Sequence, residues 1–136
     1  MELARQAGVR EARALHLNLR ESYGRQRFPL ETDAAACYAA EAAVFELRMA
    51  GMTASGHVRH ALVGKAADAI TAEATQWGAD LIILGPARHG GLAARLRGSV
   101  TLQVLQHAPC PVLVASSAGK AGSGRGAVTQ HAAAAR

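Results

Sequence analysis

The residues best suited to chemistry in this chain lie together in one basic stretch. Leu81-Ile-Ile-Leu-Gly85 runs apolar into Pro86-Ala-Arg-His-Gly-Gly91 and then through Arg95 and Arg97 to Gly98-Ser99-Val100. A buried strand, a pliable basic loop and a helix start, in that order, make an anion site. The first amides of a helix lack intrahelical partners, and the helix dipole favours negative charge there. On this reading Ser99 caps the helix, and its hydroxyl and the amides of Ser99 and Val100 meet a phosphate. Gly85 turns the chain out of the strand, and Arg88 offers a planar fork matched to phosphate oxygens. Taken singly, Ser99 is a plain helix cap, and Arg95 and Arg97 are solvated loop residues. It is the grouping of Gly85, Arg88, Gly98, Ser99 and Val100 that favours a phosphate.

The same stretch argues against turnover. Residues 1–80 carry nine Lys and Arg against ten Asp and Glu, whereas residues 81–136 carry six Lys and Arg and no acid. Phosphoryl transfer needs a carboxylate to hold Mg²⁺ or orient the nucleophile, and none follows Asp80. No Ser, His and Asp stand at a spacing that supports nucleophilic hydrolysis. His57 and His60, three apart in a predicted strand, face opposite sides and cannot share a metal. His89 reads as a solvated loop residue, and His107 suits the last turn of a helix. Cys37 and Cys110 lack a CxxC spacing and read as reduced thiols in a cytoplasmic protein.

The elements that must position these residues follow from composition and periodicity. A chain of 136 residues supports one domain, and with half its residues hydrophobic but few aromatic, the core must be Ala, Val, Leu and Ile. No apolar run approaches the roughly 18 residues of a membrane span, and no secretory signal is visible. Residues 1–8 read as the end of a helix stopped by Gly8. Ala14–Arg20 alternates, with Leu15, Leu17 and Leu19 on one face of a strand. Tyr23 to Pro29 reads as a polar connection. Glu31 to Ala50 is helical, with Cys37, Ala40, Val44 and Leu47 inward, Thr32 or Asp33 as cap and Gly51 as stop. Residues 53–63 read as a weaker strand. Lys65–Trp77 is a helix with Ala67, Ile70, Ala74 and Trp77 inward, closed by Gly78. Leu81–Leu84 suits a strand buried on both faces, Ser99–His107 a helix with Val100, Val104 and Leu105 inward, and Pro111–Ala115 a last strand. Alternating strands and helices imply a parallel sheet with helices outside. The Ala-, Gly- and Ser-rich segment from Ser116 to Arg136 reads as a disordered tail.

Four runs carry a family resemblance: Gly64-Lys-Ala-Ala-Asp-Ala-Ile70, Gly78-Ala-Asp-Leu-Ile-Ile-Leu-Gly85, Gly98-Ser99, and His107-Ala-Pro-Cys-Pro-Val-Leu-Val114. In order and spacing they resemble the universal stress protein family over about residues 1–115. The resemblance implies an α/β domain with an open, mainly parallel sheet and flanking helices, Rossmann-like (adenine nucleotide alpha hydrolase-like). ATP-binding members carry G-x2-G-x9-G-(S/T). Gly85 matches the first glycine, and Gly98 and Ser99 match the last two positions, but Arg88 stands where the second glycine is expected. An arginine there either supplies its guanidinium to the phosphate or blocks the site. A second departure concerns the family's opening strand, which ends in an aspartate that contacts the nucleotide. No such strand precedes residues 1–8, so the domain is expected to be incomplete at its N-terminus: either the true start lies upstream, or the chain is truncated and its sheet lacks a central strand. None of the ten acids matches that aspartate.

These readings give three expectations. The first is a universal-stress-type regulatory protein that binds adenine nucleotide (ATP, with Mg²⁺) or another phosphate anion at residues 85–100, without efficient catalysis. The second is a nucleotide-free dimerisation module of the same fold. In both, the resemblance implies a homodimer through the strand Pro111–Ala115. The third, a basic protein that binds nucleic acid nonspecifically, is disfavoured by the few aromatics and the absence of a reading helix.

Overall fold

The computed structural model describes residues 7–85, 92–114 and 131–135, with residues 92–99 and 131–135 described as backbone only. Strand β1 (Glu11–Tyr23) is followed by β2 (Gln26–Pro29), helix α1 (Asp33–Met49) and β3 (Thr53–Leu62). A 3-10 turn (Val63–Lys65) leads into α2 (Ala66–Trp77), then β4 (Leu81–Leu84), α3 (Leu92–His107), β5 (Val112–Val114) and β6 (His131–Ala135). The α/β class expected from alternation is the class observed.

The sheet runs β3–β1–β6–β4–β5, with β2 folded back on the far end of β1. β1 pairs in parallel with β3 from Glu11↔Thr53 to Arg20↔Leu62, and β4 pairs in parallel with β5. β6 lies between the two pairs and is antiparallel to both: Leu15 pairs with Ala132, which pairs with Leu84. The sheet is therefore mixed.

Three expectations are corrected here. The sheet does not lack its middle, and residues 131–135 are not a disordered tail; residues 115–130 lie outside the described residues. Alanine has little strand propensity, so periodicity gives no strand over Ala132–Ala135. Backbone pairing on both sides overrides that preference, because otherwise two inner rows of amides and carbonyls would be left open. The polar connection 23–29 is the third correction. Gly24, at φ 60°, takes the first place of a two-residue turn, the position where such hairpins require glycine. The chain doubles back so that Tyr23 faces Gln26 and Arg20 faces Pro29.

The core lies on both sides of β1. On one side Leu15, Leu17 and Leu19 pack with Ala67, Ile70 and Ala74 of α2, Val104 of α3, and Ile82 and Leu84 of β4. On the other, Ala12 and Ala14 pack with Ala43, Val44 and Leu47 of α1 and with Ala54. Trp77 is buried, as its place in the α2 stripe predicts. The α1 stripe is turned slightly from expectation: Ala36, Ala39, Ala40, Ala43, Val44 and Leu47 are buried, while Cys37 is exposed. Small residues let α1 sit close to the sheet. A Cβ added at Gly56 of β3 would stand 2.9 Å from Val44 Cγ2. Thr32 caps α1, its hydroxyl accepting from the Ala35 amide at 3.1 Å, and α2 ends on Gly78. β4 alternates between buried and half-buried positions and is not buried throughout both faces. The expected helix end at residues 1–6 lies outside the described residues.

Candidate functional site

α3 begins at Leu92, not at Ser99. Leu92-Ala-Ala-Arg-Leu-Arg97 are strong helix formers, and they carry the helix back toward Gly90-Gly91. Gly98, Ser99 and Val100 are consequently the seventh to ninth helical residues. Their amides are committed to carbonyls one turn earlier and are not free to meet a phosphate. The expectation that Ser99 caps the helix is thus corrected. Val100 is half-buried against the core, Val104 is fully buried, and Leu105 is 51% exposed rather than inward. Gly85 ends β4 as expected and is half-buried. Arg88 and His89 lie outside the described residues.

Gly85 nonetheless stands where open α/β sheets bind ligands. β1, β3, β4 and β5 end on one edge of the sheet, and the chain crosses from β3 to β4 over β1 and β6. The switch point is therefore between β1 and β4. The α3 N-terminus reaches that edge after the six residues 86–91.

Further along the same edge is a polar network that motif reading missed. His16 and Asn18 of β1 are buried beneath the start of α1. His16 Nε2 bonds Glu31 Oε1, Asn18 Nδ2 donates to Asp33 Oδ1 at 2.9 Å, and His60 Nε2 bonds the same Asp33 oxygen at 2.8 Å. The His60 hydrogen bond holds the Asp33 carboxyl below its ordinary range, with the charges of His60 and Arg20 acting the same way. The available signal was the polar alternation His16, Asn18, Arg20 between the leucines of β1, which marks a buried polar face. Arg20 Nε is buried without a hydrogen-bond partner among the described residues. Beyond it opens a cleft of about 540 Å³ between Arg20–Tyr23 and Leu62–Lys65.

A second network lies under α2. Glu73, 3% exposed, receives Arg13 Nη1 at 3.0 Å and His57 Nδ1 at 2.9 Å on one oxygen, and Arg59 Nε stands 3.1 Å from the other. Arg13 also lies over the Trp77 ring at 5.1 Å. His57 and His60 accordingly serve different networks on opposite faces, as their spacing requires. Among the described residues no group of His, Cys, Asp and Glu has the arrangement of a metal site. His107 Nδ1 bonds the Gln103 carbonyl at 2.9 Å in the last turn of α3. Both cysteines are free thiols, and burial, with the Asp80 charge, pushes the Cys110 thiol up. No helix among the described residues is long and apolar enough to cross a membrane.

The family model described as the universal stress protein family matches residues 2–116. The match ends before β6, so the strand at the centre of the sheet comes from outside the matched span. The comparisons with curated proteins and with solved structures give no match.

Proposed function

The chain belongs to the universal stress protein family, and we propose that it is a regulatory binding protein for adenine nucleotide or another phosphate anion, taken up where β4 gives way to α3. The observation that carries this reading is the position of Gly85 and the α3 N-terminus on the carboxyl edge beside the sheet's switch point. The connecting segment contributes Arg88, and residues 81–136 contribute no opposing carboxylate. The anion site moves forward from Ser99 to the amides at Leu92, with Arg88 as the charged fork; Gly98, Ser99 and Val100 support the helix behind it. Binding without efficient turnover follows from the missing acid. ATP and Mg²⁺ are the proposed ligands.

One observation favours a second reading, a nucleotide-free dimerisation module. β6 occupies the switch point itself, while β5 pairs with β4 alone among the described residues and leaves Val114 47% exposed at a free edge. Self-pairing through Pro111–Ala115 would cover that edge.

Calorimetric titration with ATP at low salt, with and without Mg²⁺, separates the two. The first reading expects saturable binding, weakened about tenfold by Arg88→Gly through loss of a charge-assisted contact. Absence of binding at about 1 mM ATP, an affinity of no more than about 4 kcal/mol, with no co-purifying nucleotide, leaves the second reading standing.

A further inference from the structure

α1 is apolar on its outer face as well as its inner one. Tyr38, Phe45 and Met49 are 75%, 65% and 73% exposed, and Ala35 and Ala42 beside them are exposed too. Ala35, Tyr38, Ala42, Phe45 and Met49 follow one another at spacings of three and four residues, so they form one seam along the helix. That is the spacing of a helix that pairs with another helix. The inner stripe is already filled by the sheet, so burial in the core does not explain the outer one.

We propose that this seam is a self-association surface, on which α1 of a second copy lies antiparallel. The charges flanking the seam choose both the partner and the direction. Glu41 and Arg48 stand on one side and Glu46 on the other. In the antiparallel register Tyr38 meets Met49 of the second copy and Ala42 meets its Phe45. Glu41 then meets Arg48 of the second copy twice, once on each side of the two-fold axis. A parallel pair would instead set Glu41 against Glu46, like against like. Antiparallel helices also align their dipoles favourably. Arg48 is steadied by one hydrogen bond, its Nη2 donating to the Ala54 carbonyl at 3.0 Å, and a guanidinium keeps further donors for a carboxylate. The three large side chains, with the alanines and the stems of Glu41 and Arg48, offer about 1,000 Å² for the pair, the lower limit of specific interfaces. The dimer is therefore concentration-dependent. This surface is separate from the β5 edge and does not depend on nucleotide.

Sedimentation velocity of the full chain from about 5 to 500 μM tests it, a range suited to an interface of this size. The wild type should pass from monomer to dimer. Phe45→Glu, an exposed position that leaves the core intact, should raise the dissociation constant about thirtyfold or more, with an unchanged circular dichroism spectrum. Glu41→Arg should weaken the dimer, and Glu41→Arg with Arg48→Glu should restore it. A wild type that stays monomeric throughout, or a dimer indifferent to Phe45→Glu, overturns the proposal. Failure of the double exchange to restore association overturns the antiparallel register.

Discussion

Glu73 gathers Arg13, His57 and Arg59 around a carboxylate from which water is almost excluded. Burial alone raises its pKa, but the hydrogen bonds from His57 and Arg13 and the charges of His57 and Arg59 outweigh that, and the carboxyl titrates below its ordinary 4.5. The sign of the pH effect follows from linkage. A carboxyl held lower when folded adds stability that is fully present above its unfolded value and lost as pH falls through its folded value. Acid unfolding below about pH 4.5 should therefore depend on this residue. Glu73→Gln should flatten the acid limb and cost about 2–4 kcal/mol at neutral pH by leaving cations without their anion; urea melts across pH check both. Gly56 is a purely steric case. With Val44 Cγ2 only 2.9 Å from the added Cβ, Gly56→Ala should cost about 1–3 kcal/mol through displacement of α1, seen as a lower urea midpoint at unchanged slope. None of these contacts was legible in the sequence. A lone Glu on a helix and three cations on two strands share no motif, and only the register of β1 on β3 puts Arg13 beside Ser55 and His57.

At the scale of elements, β1, α1, β3, α2, β4 and β5 were readable because each carries its period or an unbroken apolar run, and α1 and α2 also carry caps. The hairpin 23–29 was hidden because its outer residues are all exposed, so no alternation marks β2. The start of α3 was misplaced because Gly98-Ser99 looks like a cap, whereas the run Leu92–Arg97 has a stronger local preference for helix than a lone glycine has against it. β6 was illegible because its sequence, His-Ala-Ala-Ala-Ala, prefers no strand; its pairing is decided by the gap between β1 and β4. Removal of residues 131–136 should therefore destabilise the protein by roughly 3 kcal/mol or more, from the loss of hydrogen bonds on two edges. A synthetic peptide of that sequence should restore part of the loss at high concentration, measured by thermal melting. An unchanged melt after the truncation would show that β6 adds nothing to the sheet.

For the whole molecule, the uneven charge of the two halves of the chain acquires a position. The acids among the described residues lie on β1, α1 and α2 and in the turns beside them, where Glu31, Asp33 and Glu73 are each paired with histidine or arginine. The acid-free half contributes the segment that leads from Gly85 into α3. That half of the chain carries charge of one sign in its side chains, which favours an anionic partner. Nucleotide binding should weaken steeply with salt, since arginine attracts phosphate through a screened field. Titrations with ATP at about 50 and about 300 mM salt, either side of the physiological screening length, test this directly. Affinity that does not change with salt would argue that arginine charge has no part in the site.

The position of β6 also sets an order on folding. β1 and β3 can pair as soon as residue 62 is made, and β4 and β5 soon after residue 114, but the strand that joins these pairs is synthesised later than both. Its contacts with β1 span the largest sequence separations in the sheet. Pairing of that kind is slow, because a long loop must close before any contact forms. During that interval the nascent chain holds two half-sheets with open inner edges, each a template for the wrong strand. A protein built this way has its greatest need of chaperones while β6 is still on the ribosome.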